Sequence, residues 1–386
     1  MNRFPVAIIT AGLTLATATA AVAQSGEVHQ SKYHDYRVVT VADGFEIPWG
    51  MTFLPGGEML VTERPGRIRI VRNGRLVPTP VRGAPEVLAQ GQGGMLDIVA
   101  HPEFSANRLV YLSYSKPRSG GEGATTAIAR ARYENGALHD FEDIFIANSE
   151  GRGHYGSRIV FDGRGHIFFS VGDRQAPPRG DLAAHPAQDR STHHGTINRI
   201  YEDGRIPEDN PFMGVAGVEP SIYSFGHRNP QGMVMNMETG ELWATEHGPQ
   251  GGDELNLILP GENYGWPVVG YGVNYGSGSA IHEGTMREGW QNPSFVWVPS
   301  IGTSGLELYT GNRFPEWQGD LFAGGLSGEV LYRLRMDGDV VVDHETLLTG
   351  VGRIRDVRQG PDGYLYVALE RRDGEPSRLI RLEPAG

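Results

Sequence analysis

Cysteine is absent from this 386-residue chain, and lysine occurs only at Lys32 and Lys116. The first absence excludes disulfides, thiolate metal sites and cysteine nucleophiles. The second leaves arginine as nearly all of the positive charge. Positive charge is itself in deficit: 34 Lys and Arg against 46 Asp and Glu give a formal net charge of −12. That is the wrong sign for steering toward nucleic acid or an anionic membrane surface. Beyond the N-terminus no apolar run is long enough to span a bilayer, so no membrane span is expected in the mature chain. Helix-length apolar stripes are also scarce, which argues against an α/β fold.

Turn residues are abundant instead. Gly (55) and Pro (25) make up about a fifth of the sequence, against about 12% in an average protein. The first residues carry Arg3, an uncharged apolar stretch and Ala21-Val22-Ala23, the pattern of a secretory signal cleaved after Ala23, and hence of a periplasmic or secreted protein. Residues 24–36 are polar and read as a flexible lead-in, leaving 37–386 as a single domain.

Within that domain one pattern recurs six times: a Pro/Asp/Gly turn, a short β-branched and aromatic run, and a small or acidic stop. The copies are PGGEMLVTE (55–63), HPEFSANRLVYLSYS (101–115), DGRGHIFFSVGD (162–173), TGELWATE (239–246), PEWQGDLFAGG (315–325) and PDGYLYVALE (361–370). Their mean spacing is about 61 residues, longer than the roughly 40 to 50 of common propeller repeats. The expected fold is an all-β, six-bladed β-propeller with long loops inserted on the active-site face. A two-sheet sandwich is the competing architecture, but six copies at this pitch exceed what a sandwich normally holds. A propeller gathers loops from every blade around one channel, so its site should draw on residues scattered along the whole chain.

Five segments carry candidate chemistry. In GHYGSRIVFDGRGHIFFSVGD, His154 precedes one strand and Asp173 ends the next, so a strand pair can bring the carboxylate beside the imidazole, as in a general base with its orienting acid. Most of the thirteen histidines should be structural, but Gly151, Gly153 and Gly156 around His154 suit a tight loop at a channel mouth. In SFGHRNPQG, Arg228 and Asn229 stand before a proline; the arginine suits an anion clamp or, alternatively, an ion pair between blades. In EHGPQGGDELNLILPGENYGWP, glycine-rich turns and oxygen-bearing side chains, among them Gly248, Pro249 and Glu254, fit a hard cation such as calcium. His193 and His194, adjacent in sequence, read as loop residues. In GRIRDVRQGPDG, Arg353 and Arg355 share one strand face with no acidic partner between them, which suggests a ligand with more than one anionic group. In GQGGMLD, the Gln92 amide is placed to read hydroxyl groups.

GHRNPQG followed by EHGPQGGDELN and NYGWP, together with GQGGMLD and PDGYLYV, resembles the soluble aldose sugar dehydrogenases that use pyrroloquinoline quinone, relatives of soluble quinoprotein glucose dehydrogenase. The resemblance covers roughly residues 37–384 and implies a six-bladed propeller. It implies His154 as the base that takes the anomeric hydroxyl proton, Asp173 as its orienting carboxylate, and hydride transfer from the sugar C1 to the quinone, polarised by calcium and Arg228. It further implies calcium on the carbonyls of Gly248 and Pro249, and Asn229, Arg353 and Arg355 on the cofactor. Gln92 would lie on the sugar, with Glu254 and Tyr264 at a second, structural calcium. The partners implied are an aldose sugar and a soluble electron acceptor. Three positions depart from the pattern. Gly153 replaces an acidic residue, the loop 324–334 lacks a cofactor-binding lysine, and Thr196 stands where many relatives have lysine. Two other functions compete: a calcium-dependent lactonase, which would need Asp, Glu and Asn at the channel mouth, and a non-catalytic extracellular binding propeller. Neither has a reason to collect Arg228, Arg353 and Arg355 around one axis.

Overall fold

Each of the six recurring segments forms the second strand of an antiparallel sheet. Those second strands are Met59–Glu63, Leu109–Pro117, His166–Val171, Leu242–Glu246, Leu321–Gly325 and Leu365–Glu370. The computed structural model describes residues 27–118 and 123–386, and its sheets are numbered here as blades I to VI. Their first strands are Pro48–Phe53, Met95–Ala100, Ile159–Phe161, Pro230–Met235, Thr303–Leu308 and Arg353–Gln359. These six touch one another in cyclic order, the last returning to the first, and so line a central axis. Blade VI takes its outer strand from the other end of the chain: Tyr36–Phe45 pairs with Ser377–Pro384, Thr40 opposite Ile380. This closure removes the free edge that an open sheet would expose.

The partial alternation in the recurring segments has a packing cause. Both faces of a blade are buried, so successive residues of one strand serve opposite neighbours. Leu60 packs with Val110 and Leu112 of blade II, whereas Met59 and Val61 pack with Tyr366 and Leu379 of blade VI. One apolar cluster fills each of the six blade interfaces.

A hydroxyl on the second strand also reaches the first strand of the next blade or the residues just before it. Ser113 donates to Ser157 O at 2.6 Å, Ser170 to Pro230 O at 2.9 Å and Thr245 to Ser304 O at 3.3 Å, and Thr62 bonds Leu96 O in the same way. Blade V has Gly324 at this position. There the bond comes from Ser304, which donates to Ile354 O at 2.6 Å, and a Cβ on Gly324 would lie 2.6 Å from that hydroxyl oxygen. Around the axis Asp97 and Asp356 each pair with Arg158 and Arg358 at 3.0 to 3.2 Å, tying blades II, III and VI together.

Residues 27–36 of the lead-in are more ordered than their polar composition implies. Val28 and His29 pair with Arg37 and Tyr36, Lys32 N donates to Glu345 and Lys32 Nζ pairs with Asp343. Its partners are main-chain groups and acidic side chains of blade V, which composition does not reveal. The signal segment and its cleavage point lie outside the described residues. Among the described residues no helix is long and apolar enough to cross a membrane.

Candidate functional site

In four antiparallel strands, the link from second to third strand and the link from the fourth to the next blade's first emerge at the same end. Gln92, His154, Arg228 and Asn229 lie in links of the second kind; Asp173, Gly248 and Pro249 lie in links of the first. Arg353, Arg355 and Glu254 stand at the strand ends beside them. The topology therefore brings these residues to one end of the axis. The long loops are divided, however. Segments 172–195 and 77–94 emerge at this end, whereas 202–221 and 259–294 join third to fourth strands and leave from the other. The longer insertion returns along the outer edge of blade III, where Asn263 pairs in parallel with Phe225, and so delivers Tyr264 and Trp266.

His154 and Asp173 meet. The hairpin of Ile159–Phe161 and His166–Val171 brings His154 Nδ1 to 2.5 Å from Asp173 Oδ1. Asp173 also accepts from Gln175 N at 2.9 Å and from the Trp266 indole at 2.7 Å. His154 sits at φ +44°, held by its N–H to Gln92 Oε1 at 2.8 Å and its carbonyl to Arg174 at 3.0 Å. Burial lowers the affinity of His154 for a proton; Asp173 opposes this, but Arg228 and Arg174 add to it. The imidazole is therefore neutral near pH 7. Burial pushes the Asp173 carboxyl up, yet His154, Arg228 and the Gln175 N–H outweigh it and hold it below the usual range. The result is a neutral imidazole whose Nδ1 proton is held by a carboxylate, leaving Nε2 with a free lone pair.

Arg228 lies within electrostatic reach of both. Its N–H donates to Glu246 at 2.7 Å, its guanidinium to His247 O at 3.3 Å, and its Cζ stands 5.2 Å from the Trp266 ring centroid. Its Nε is buried without a partner, as is His247 Nε2. Asn229 is pinned, accepting Gly156 N at 3.0 Å, so only its amide nitrogen is left for a ligand.

A cavity of 20 Å³, the size of one ion or water, is lined by Arg228, Gly248, Pro249, Glu254, Tyr264 and Trp266, among others. The four cation candidates thus surround one small space, not two separate ones. Asp253 supports it from behind, accepting from Gly248, Gly302 and Thr303 at 2.6 to 3.0 Å. The Tyr264 hydroxyl is committed to Leu257 O and Leu259 N, so a cation would meet only its carbonyl. Burial and the neighbouring Glu246 charge raise Glu254 well above the carboxylate range. Among the described residues no three acidic or histidine side chains cluster as a metal cage, which leaves carbonyl oxygens as necessary ligands.

The second cavity, 180 Å³, is lined by Trp49, Arg64, Gln92, Gln231, His247, Leu326, Ser327, Arg353, Arg355 and Arg372. Arg353 and Arg355 do share it, but an acid pairs with both: Glu370 on the adjacent strand takes Arg353 at 3.3 Å, Arg355 at 2.8 Å and also Arg372. Among the described residues the Arg64 guanidinium donates to the carbonyls of Gly93 and Gly91. Four guanidiniums thus face one carboxylate. His247 lines both cavities, which joins them into one site.

Residues 45–381 match the glucose/sorbosone dehydrogenase family. This chain belongs to that family. Aldose sugar dehydrogenase YliI of Escherichia coli K12 is 40% identical over 355 residues, 90% of this chain and 92% of the relative. The crystal structure of the soluble aldose sugar dehydrogenase from Escherichia coli in its apo form, 38% identical, aligns with TM-score 0.84 over 90% of this chain and 99% of that one. The PQQ-bound form of aldose sugar dehydrogenase from Streptomyces coelicolor, 29% identical, aligns with TM-score 0.72 over 90% and 98%.

For a glucose/sorbosone dehydrogenase, several site residues escaped sequence reasoning. Arg64 and Arg372 lie outside the segments singled out for chemistry, and Glu370 merely ended a repeat. Trp266 stood inside NYGWP, a motif noted for its turn and not for its indole. At Gly153 a Cβ would meet only the terminal amide of Gln175, at 2.3 Å, a group that can swing aside, so the local space does not itself demand glycine. The lysine-free loop does line the arginine cavity, through Leu326 and Ser327. Thr196 does not; its hydroxyl is bonded to His193 O inside blade III. His193 and His194 hold loops as expected, His193 between Asn148 N and Ser221.

Proposed function

We propose that this protein oxidises the C1 hydroxyl of aldose sugars to lactones, using pyrroloquinoline quinone and calcium, in the periplasm, and passes the electrons to a soluble acceptor. One observation carries the reading: a neutral, carboxylate-held imidazole lies beside Arg228 in a site where four further guanidiniums face a single acid. Such a cation excess suits a planar tricarboxylate. The residues fit that group in two further ways. Arg228 Nε and His247 Nε2 are buried and unpaired, and Gly248 has no room for a Cβ, which would lie 2.2 Å from Gly252 O.

Arg64, Arg353, Arg355 and Arg372 would hold the cofactor's carboxylates, with Arg228 and the Asn229 amide at its quinone oxygens. The carbonyls of Gly248, Pro249 and Tyr264, with the Glu254 carboxyl, surround one small space and would together hold calcium. When bound, the quinone supplies a hydride acceptor and calcium a Lewis acid. The chain's own work is positional and protic. Gln92, through its free amide nitrogen, would orient the sugar. His154 Nε2 would take the anomeric hydroxyl proton, and Asp173 would stabilise the imidazolium that forms. Burial excludes water from that proton transfer. The remaining clues to location are the Ala21-Val22-Ala23 signal pattern and the lack of a membrane-crossing helix among the described residues.

Purified protein mixed with pyrroloquinoline quinone and calcium should bind the cofactor, seen by absorbance, and reduce a dye with an aldose panel. Absence of both cofactor uptake and turnover would refute the proposal.

A further inference from the structure

We infer that Trp266 is a positioning residue, one indole that ties the His154–Asp173 pair to Arg228 and fixes both. The inference rests on the reading of His154 as the base. Trp266 enters on the long insertion and is held at both backbone ends: its N–H donates to Gly226 O at 2.8 Å and its carbonyl accepts from Gln188 at 2.8 Å. From that fixed point the indole N–H donates to Asp173 Oδ2 at 2.7 Å. The two other donors to this carboxylate, His154 Nδ1 and Gln175 N, both take Oδ1. Among the described residues Trp266 is thus the single hydrogen-bond donor to Oδ2. The same ring lies under the Arg228 guanidinium at 5.2 Å, and its edges meet His185 and His282.

The two contacts act together. By satisfying Oδ2, the indole leaves Oδ1 to His154 and fixes the carboxylate's rotation, and with it the direction in which Nε2 points. It also disperses part of the carboxylate's charge, which weakens the pull of Asp173 on a proton at His154. By carrying Arg228 on its face, it fixes the distance between the base and the guanidinium. The other charged or titratable groups facing the pair are Arg228, Arg174 and His247 around His154, and His194 beside Asp173. None of them donates to Oδ2.

Trp266→Phe keeps a ring under Arg228 and removes the N–H. In cofactor-loaded enzyme the acid limb of kcat/KM should move up by about one pH unit, the tenfold change in proton affinity expected for one lost hydrogen bond to a charged group. Cofactor affinity should change less than about threefold. Trp266→Leu, which removes the ring as well, should weaken cofactor binding by about tenfold. An unmoved acid limb in Trp266→Phe, with only a lower Tm, would mark the residue as packing and overturn the inference. A wild-type measurement needs neither variant nor turnover. In cofactor-free protein labelled with ¹⁵N-tryptophan, the Trp266 indole proton should titrate together with His154; an indole resonance indifferent to that titration overturns the coupling. Tracking in a protein that shows no sugar turnover would instead sink the proposed function and leave the coupling standing.

Discussion

Replacing Asp173 by asparagine poses a donor conflict that the structure makes explicit. The carboxylate accepts three hydrogen bonds, from His154 Nδ1 and Gln175 N at Oδ1 and from Trp266 at Oδ2. An amide of the same shape has one acceptor oxygen and one donor nitrogen. With the oxygen at Oδ1, the NH₂ faces the Trp266 N–H, donor against donor. With the oxygen at Oδ2, the NH₂ faces His154, which relieves the clash by moving its proton to Nε2. That proton occupies the lone pair the reaction needs. Either arrangement leaves a buried polar group unsatisfied or selects the wrong tautomer, and removes the charge that stabilises the imidazolium. The expected loss in kcat is about 10²- to 10⁴-fold, or about 2.7 to 5.5 kcal/mol of barrier. Because Asp173 raises the proton affinity of His154 against the effect of burial, its loss should move the residual acid limb to lower pH. The assay is steady-state dye reduction with cofactor-saturated enzyme across pH, beside an absorbance titration of the cofactor. Activity within tenfold of the parent, or cofactor binding lost in step with turnover, would refute the reasoning.

Glu370→Gln should lower Tm and remove an acid sensitivity. Burial raises this carboxyl, but Arg355, Arg372 and Arg353 hold it down to about 2. A depressed folded pKa contributes stability above the ordinary carboxylate range, here up to about 3 kcal/mol. That contribution is lost as pH falls from about 4.5 toward 2, so thermal unfolding against pH should flatten over this window in the variant. Gly172→Ala places a Cβ 2.1 Å from His154 O; it should cost about 1 to 3 kcal/mol in unfolding free energy and more than tenfold in turnover. Calcium at about a hundred times its dissociation constant should add about 2.7 kcal/mol of stability, read as a rise in Tm that chelation reverses and that Glu254→Gln reduces.

The propeller was legible because a blade's second strand is buried on both faces and bounded by turns, which leaves a local imprint six times over. The first and outer strands left weaker traces, since several of them, Arg75–Leu76, Ile159–Phe161, Ile222–Phe225 and Phe295–Trp297, are too short to show a pattern. Sequence also brought His154 and Asp173 together, because a single hairpin separates them. It found Arg353 and Arg355 on one face, but missed Glu370 between them, since that acid comes from the neighbouring strand and its position depends on register. Arg64 was hidden for a different reason. Its partners are the carbonyls of Gly91 and Gly93, and backbone acceptors carry no residue signature. Trp266 lies 93 residues from Asp173 on an insertion that starts at the far end of its blade, a path that local pattern does not predict.

Backbone strain gathers around the same pair. His154, Ser157, Arg174 and Gln175 all sit at positive φ, between +44° and +84°, though none is glycine. Each such residue costs on the order of 1 to 3 kcal/mol and persists only where its surroundings leave it no alternative. Here the surroundings are specific. Gln92 holds the His154 N–H and Arg174 its carbonyl; Asn229 holds Gly156, and Ser170 O accepts the Ser157 N–H at 2.7 Å. Arg174 is itself bonded to Thr126 and Ser149 and lies 4.8 Å from the Tyr155 ring centroid. These anchors come from blades II and III and from the links that join blade I to II, II to III and III to IV, so no single blade could hold the conformation alone. The closed ring of inner strands makes this possible, because it fixes the distances between loops that are remote along the chain. The strained loop holds the imidazole within electrostatic reach of Arg228 and His247. His247 in turn lines a cavity to which blades I, IV, V and VI contribute, so the proposed chemistry requires the whole propeller and not a fragment of it.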